Sequence, residues 1–211
     1  MKQMTDSLKW RYAVKKYDPS RKVSGDDIVR LKEAIQLAPS SQGLQPYRVL
    51  FIEDKLVRAE LLTASHNQSQ VTEASHLVVF AIENNLGDGY IDNYFENIIR
   101  TRNVPLEGSL LHHKQAVAAM VNRMPAGEKK DWATRQAYLA LGFLLFAAAG
   151  LRIDANPMEG FMPAQYDAIL GLDKLGLSAV VIAAVGYRHK EDHFQHFAKV
   201  RKPAAELFLT L

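Results

Sequence analysis

The chain has 211 residues, of which 48% are hydrophobic and 23% charged, with a net charge of +3. That apolar share is ample for a buried core, and the length suits one large domain or two small ones. Having no cysteine excludes disulfides, thiolate-held zinc and a thiol nucleophile. The scattered lysines and arginines form no basic stripe of the kind a nucleic acid requires.

The first ten residues lack the apolar centre of a signal peptide. The longest nearly uncharged stretch, Gln136 to Leu151, falls short of the about 20 residues a membrane span needs. The expectation is a cytoplasmic protein with neither a membrane nor a nucleic-acid partner. In chain order, Thr5–Trp10 reads as a short helix and Arg11–Tyr17 as an extended segment. Ser24–Asp27 resembles a capping box, opening a helix whose apolar positions Ile28, Leu31 and Ile35 stop before Pro39.

Val49–Ile52 reads as a strand, Val57–Ser65 as a helix, His66–Thr72 as a polar loop and His76–Ile82 as a buried strand. The polar middle, punctuated by Gly and Pro, suggests helices at Ile91–Thr101 and Leu110–Arg123. Asp131–Gly150 is apolar almost all round, as a central helix should be. Arg152–Ala155 begins a strand, Pro163–Leu170 is a short helix, and Ser178–Gly186 is apolar enough for the middle of a sheet. Phe208–Leu211 reads as a last strand. With no repeat and no linker, residues 1–211 form one α+β domain with four or five strands covered by helices.

Four segments carry polar chemistry. Ala38–Pro46 (APSSQGLQP) sets two hydroxyls, two carboxamides and a glycine between stiffening prolines, a composition suited to gripping something flat and polar. In an extended Arg11–Tyr17, Arg11, Ala13 and Lys15 share one face and Tyr12 and Val14 the other. The cations could line an anion, although spacing alone favours a solvated edge. Lys199 and Arg201 share a face in the same way, and a basic surface loop is again the plainer reading. Asn156–Phe161 (NPMEGF) could present backbone N–H groups at Glu159 and Gly160, or be a simple turn.

His189, His193 and His196 fall at helical spacing, but surface histidines without cysteine support make a weak metal site. His76 reads as structural. No GxGxxG, GxxxxGK[ST] or GxSxG pattern occurs. Anion-binding groups without an evident nucleophile or base suit a protein whose cofactor carries the reaction.

Arg11–Asp18 (RYAVKKYD), Ala38–Pro46, Ala74–Phe80 (ASHLVVF), Met158–Phe161 (MEGF) and Lys199–Arg201 (KVR), in this order, resemble the nitroreductase family of FMN-dependent oxidoreductases. The likeness is to its oxygen-insensitive NAD(P)H nitroreductase and flavin reductase branch. The resemblance implies an α+β sandwich with a mostly antiparallel sheet. It also implies an intertwined homodimer with two interfacial FMN sites, in which Phe208–Leu211 joins the partner's sheet and Asp131–Gly150 lies deep in the dimer core.

By position, Arg11, Lys199 and Arg201 would hold the FMN phosphate, with Tyr12 and Ala13 beside them. Lys15 and Asn67 would meet the flavin's pyrimidine edge, and Pro157, Glu159 and Gly160 would lie near N5. Pro39, Ser40, Ser41, Gly43 and Gln45 would reach the other subunit's flavin. NADH or NADPH would deliver hydride, and nitroaromatics, quinones or related small molecules would accept it; no metal is implied. Ala13, Gly43 and Gln70 depart from relatives that carry Ser, Asn and Lys there, each removing a polar contact or charge to the cofactor. A different reading of the same site is an FMN-binding redox sensor or flavin store without turnover.

Overall fold

The structure, a computed structural model, describes residues 2–211, with side chains from Met4 onward. Its helices are α1 (Lys2–Trp10), α2 (Gly25–Gln36), α3 (Lys55–Thr63), α4 (Gln70–Glu73), α5 (Asp88–Arg102), α6 (Gly108–Arg123), α7 (Ala126–Gly150), α8 (Pro163–Leu170) and α9 (Ala204–Leu207). Strands β1 (Tyr47–Ile52), β2 (His76–Glu83), β3 (Asp154–Met158) and β4 (Leu177–Gly186) pair in the order β1-β2-β4-β3, every pair antiparallel.

The sheet is covered on both faces, which is why β2 and β4 read as continuous apolar runs without alternation. Val78, Phe80 and Ile82 of β2 join Val181, Ala183 and Val185 of β4 against α2, α5 and α7. Leu77, Val79 and Ala81 join Ala179, Ile182 and Ala184 against α3, α4 and α8. Phe80 faces Val181 while Ala81 faces Ala179, so Val180 is an inserted residue. This bulge reverses the side-chain parity of β4, so that Ala179 lies in one core and Val181, two residues on, in the other.

The N-cap half of the expected capping box forms: Ser24 Oγ accepts from Asp27 N at 3.1 Å, holding the first turn of α2, while the Asp27 carboxylate accepts from the Ser24 hydroxyl at 2.9 Å. Helix α3 starts two residues earlier than expected because Asp54 Oδ1 accepts from Leu56 N and Val57 N. Helix α7 begins at Ala126, not Asp131. Pro125 sits at its N-cap, where a missing N–H costs nothing, so the Pro125 and Gly127 punctuation does not break it.

Arg11–Tyr17 is extended only loosely. It forms no strand, and one isolated bridge joins Tyr17 to Arg188. The polar loop at His66–Thr72 ends inside α4. Strand β3 starts at Asp154, after Arg152 turns the chain at φ 59°, and runs through Pro157 and Met158. A proline fits there because β3 is an edge strand. Phe208–Leu211 pairs with no strand among the described residues and is exposed behind α9. No helix among the described residues is long and apolar enough to cross a membrane.

Helix α7 buries Trp132, Ala133, Gln136, Ala137, Ala140, Leu141 and Leu144. On its other side Leu139, Phe143 and Phe146 remain 40–47% exposed. These three recur at i, i+4 and i+7, so the helix presents a second apolar stripe to the outside.

Candidate functional site

The N- and C-terminal regions converge beside the start of β3, at Asp154. Arg11 lies close enough to Arg201 that, after burial, repulsion between the two lowers its pKa from the ordinary value. Lys199 is lowered by burial and then by Arg11, Arg201 and Arg188. Its ammonium donates to the Lys9 carbonyl, which holds it at the end of α1. Among the described residues no carboxylate pairs with Arg11, Lys199 or Arg201. The buried Asp154 nearby is taken by Arg188, with Nη2 to Oδ1 at 2.6 Å and Nε to Oδ1 at 3.0 Å. Arg188 stacks between the rings of Trp10 and Tyr12, 4.2 and 4.4 Å from their centroids.

Three mutually repelling cations without a counterion form a site that an anion would stabilise. The residues present therefore fit the phosphate of a group such as FMN.

Asp192 fixes the adjoining backbone. It is 2% exposed and receives four hydrogen bonds. Lys15 N donates to Oδ2 at 2.7 Å, Lys16 N at 3.1 Å and the Tyr12 hydroxyl at 3.2 Å, while Phe194 N donates to Oδ1 at 3.1 Å. Burial alone would raise this carboxyl, but the donors outweigh it and hold its pKa below the ordinary value. These bonds do for residues 12–16 what a strand ladder would have done. Val14 and Tyr17 turn inward, while Lys15 is exposed at an open cleft of about 270 Å3 shared with Asp192 and Phe194. Ala13 is half-buried beside them.

A larger cleft, of about 500 Å3, runs between α7 and the end of β3, lined by Tyr138, Leu141, Leu145, Pro157, Met158 and Glu159. The Tyr138 hydroxyl donates to Glu159 Oε1 at 2.6 Å. Burial first, then this bond, pushes its pKa up to about 12, so it stays protonated. Gln68 Nε2 donates to the Gly160 carbonyl at 2.6 Å and to Ser65 O at 3.0 Å, tying this turn to the loop that carries Asn67. Asn67 is exposed, with φ 56°, whereas Gln70 is buried at the start of α4.

Ala38–Pro46 is a tightly built turn. Ser41–Gly43 form a 3-10 turn, and Gln42, Gly43 and Gln45 have φ of 57°, 74° and 46°. Ser41 N donates to Gln136 Oε1 at 2.8 Å, and Tyr90 donates to the Gln45 carbonyl at 2.9 Å. Ser40 Oγ accepts from Gln45 N at 2.9 Å, and the Gln45 carboxamide donates to Gln36 O at 2.9 Å. The Gln42 carboxamide oxygen lies 3.1 Å from His113 Nε2, so three of the four hydroxyls and carboxamides expected to grip a ligand are engaged within the protomer. Pro39 and Gly43 stay exposed and Ser41 partly so. Among the described residues no hydrogen bond or ion pair joins this segment to Arg11, Lys15, Lys199 or Glu159.

The histidine pattern at His189, His193 and His196 forms no metal cluster: among the described residues, no three His, Cys, Asp or Glu are placed to hold an ion. His193–His196 is instead a 3-10 turn capped by Asp192. Sequence reasoning missed Asp192, Arg188, Tyr138 and Gln136. Asp192 was visible only as one letter within the histidine pattern, and Tyr138 and Gln136 only as polar breaks in the apolar run of α7.

The profile of the Nitroreductase family matches residues 8–187. The chain is 31% identical over 210 residues to the major NAD(P)H-flavin oxidoreductase of Aliivibrio fischeri, covering 97% of this chain and 96% of that protein. It is 26% identical over 204 residues to the oxygen-insensitive NAD(P)H nitroreductase of Enterobacter cloacae, covering 93% and 94%. A solved nitroreductase-type structure from Exiguobacterium sibiricum, in complex with FMN, superposes with a TM-score of 0.84 at 24% identity over 99% of this chain and 97% of that one, a likeness of fold. With these motifs, this sheet and a family match that spans most of its length, the chain belongs to the nitroreductase family.

Proposed function

We propose that the protein is an FMN-dependent NAD(P)H oxidoreductase that reduces nitroaromatics, quinones or related small acceptors. The observation that carries this reading is the cluster of Arg11, Lys199 and Arg201, three cations that lack a counterion. When bound, FMN would supply the redox chemistry through its N5, with NADH or NADPH as hydride donor and ping-pong order as the expected kinetics.

The chain's own part is binding and positioning. Arg11 and Arg201 offer planar guanidinium forks and Lys199 a point charge to the phosphate. Lys15 places an ammonium at the pyrimidine edge, where added electron density is stabilised by positive charge. Glu159 and Gly160 present their backbone beside N5, braced by Tyr138 and Gln68. The apolar wall of Leu141, Leu145 and Met158 suits a flat ring and keeps water off one side of it.

The same reading makes the protein a cytoplasmic homodimer. The outward stripe of Leu139, Phe143 and Phe146 and the exposed Phe208, Leu209 and Leu211 are apolar surface that a second copy would bury. Pro39, Ser41 and Gly43 would then complete the partner's site. Purified protein should show the visible absorbance of oxidised flavin, bleach on anaerobic NADH or NADPH, and recover colour on adding a quinone. Protein that is colourless and cannot be reconstituted with FMN would defeat the proposal.

A further inference from the structure

We infer that Asp192 is a positioning residue that sets the redox potential of the bound flavin through Lys15. This rests on the FMN reading above and goes beyond it, because Asp192 touches no part of the proposed cofactor site with its own charge free. The argument begins with the stretch from Arg188 to Arg201. Arg188 pins to Asp154 at the start of β3, four residues before Met158 and the Glu159–Gly160 turn. Asp192 takes the backbone N–H groups of Lys15 and Lys16 and the Tyr12 hydroxyl. Lys199 and Arg201 then meet Arg11. One short stretch therefore ties together three separate segments assigned to the flavin.

Within it, Asp192 fixes where Lys15 leaves the backbone, beside one backbone bond in which His189 N donates to the Lys16 carbonyl at 2.9 Å. Residues 11–15 lie outside any strand, and a single oxygen, Oδ2, holds both Lys15 N at 2.7 Å and Lys16 N at 3.1 Å. The other oxygen is occupied by Phe194 N. An asparagine could not satisfy both sets, because its NH2 would face an N–H donor on one side. Buried donors left facing each other force the backbone to move. A shift of even an ångström at Lys15 N displaces its ammonium from the edge it is meant to serve.

The sign of the effect separates positioning from simple electrostatics. Removing a nearby negative charge through space would favour the reduced, electron-rich flavin and raise the potential. Misplacing Lys15 removes positive charge from that flavin and lowers it. The test is a double-mutant cycle on the FMN-loaded protein using Asp192→Asn, Lys15→Met and both together, with the flavin midpoint potential read by anaerobic dye equilibration.

Asp192→Asn should weaken stabilisation of reduced over oxidised flavin about tenfold, which is ~30 mV downward for a two-electron couple. In the Lys15→Met background it should change nothing further. A rise in potential, no change, or an equal fall with and without Lys15 would each overturn the inference. Should Asp192→Asn fail to fold, Asp192→Glu keeps the acceptor but displaces it by one methylene and runs the same cycle with the same expected signs. Wild-type protein that takes up no FMN would instead overturn the functional reading itself, so the two failures are distinguishable.

Discussion

Gly43 is a position in the proposed site where a single methyl group should be costly. A Cβ built there lies 2.3 Å from the Tyr94 hydroxyl oxygen and 3.2 Å from its Cζ, and the backbone sits at φ 74°. Two independent terms follow for Gly43→Ala. An L-residue in the left-handed region costs roughly 1–2 kcal/mol. Moving the partly buried Tyr94 hydroxyl aside by about an ångström costs roughly 1–3 kcal/mol more. Their sum is about 2–5 kcal/mol, and at about 2–4 °C per kcal/mol for a chain of this size the melting temperature should fall by about 4–20 °C.

Tyr94→Phe in the Gly43→Ala background removes the closer clash and should recover the second term but not the first. Thermal melts of the four proteins, with and without FMN, read both. A Gly43→Ala protein within about 0.5 kcal/mol of wild type, or a double variant no more stable than Gly43→Ala, would refute the packing argument. The result also bears on why this chain can lack the asparagine expected from its relatives. Tyr94 already fills the space a side chain at position 43 would use, so the glycine is a packing requirement as well as a lost contact.

Tyr138→Phe removes one hydrogen bond to the exposed Glu159 carboxylate. At about 0.5–1.5 kcal/mol, kcat/KM for nicotinamide oxidation should drop about 2- to 10-fold with the melting temperature nearly unchanged; stopped-flow reduction would show it. His76 is buried and its pKa is lowered, chiefly by burial, with Glu53 at 3.0 Å acting in opposition. Its folded pKa thus lies below the unfolded value of about 6.5, so the unfolded state binds the proton first. Stability should be full above that pH and fall as pH drops toward the folded pKa, and His76→Gln should flatten this slope in urea titrations between pH 7 and 5. Dissociating the proposed dimer, by charge substitution at exposed Phe143, should release FMN even though Arg11, Lys199 and Arg201 are untouched; ultrafiltration and size-exclusion chromatography together would show retention of flavin by a monomer if the two-chain site is wrong.

Much of the fold was legible in the sequence because its signals are local. Ser24 and Asp27 announce α2 four residues ahead of Ile28, and the apolar runs of β2 and β4 announce a sheet buried on both faces. What misled was also local. Arg11–Tyr17 alternates like a strand, but its Lys15 and Lys16 N–H groups are taken by the side chain of Asp192, about 180 residues away in sequence, and its Tyr17 N–H by Glu73, and nothing in residues 11–17 records that. Pro125 and Gly127 read as a break because proline punctuates most helices, yet at the N-cap proline is neutral. The bulge at Val180 is invisible in a uniformly apolar run, since either face would accept any of those side chains.

The site divides along the same line. Arg11, Lys15, Lys199 and Arg201 could be named from charge and spacing, but whether they meet was undecidable: each alone looked like solvated surface. Their joining depends on Asp154 making its ion pair with Arg188 and not with Arg11, so that among the described residues Arg11, Lys199 and Arg201 have no ion-pair partner, although Asp154 still attracts Arg11 at longer range. A binding site for an anion is therefore made here as much by the placement of the carboxylate as by the cations. Asp154 and Asp192, two buried acids that touch no proposed ligand, decide respectively which positive charges remain available and where Lys15 points.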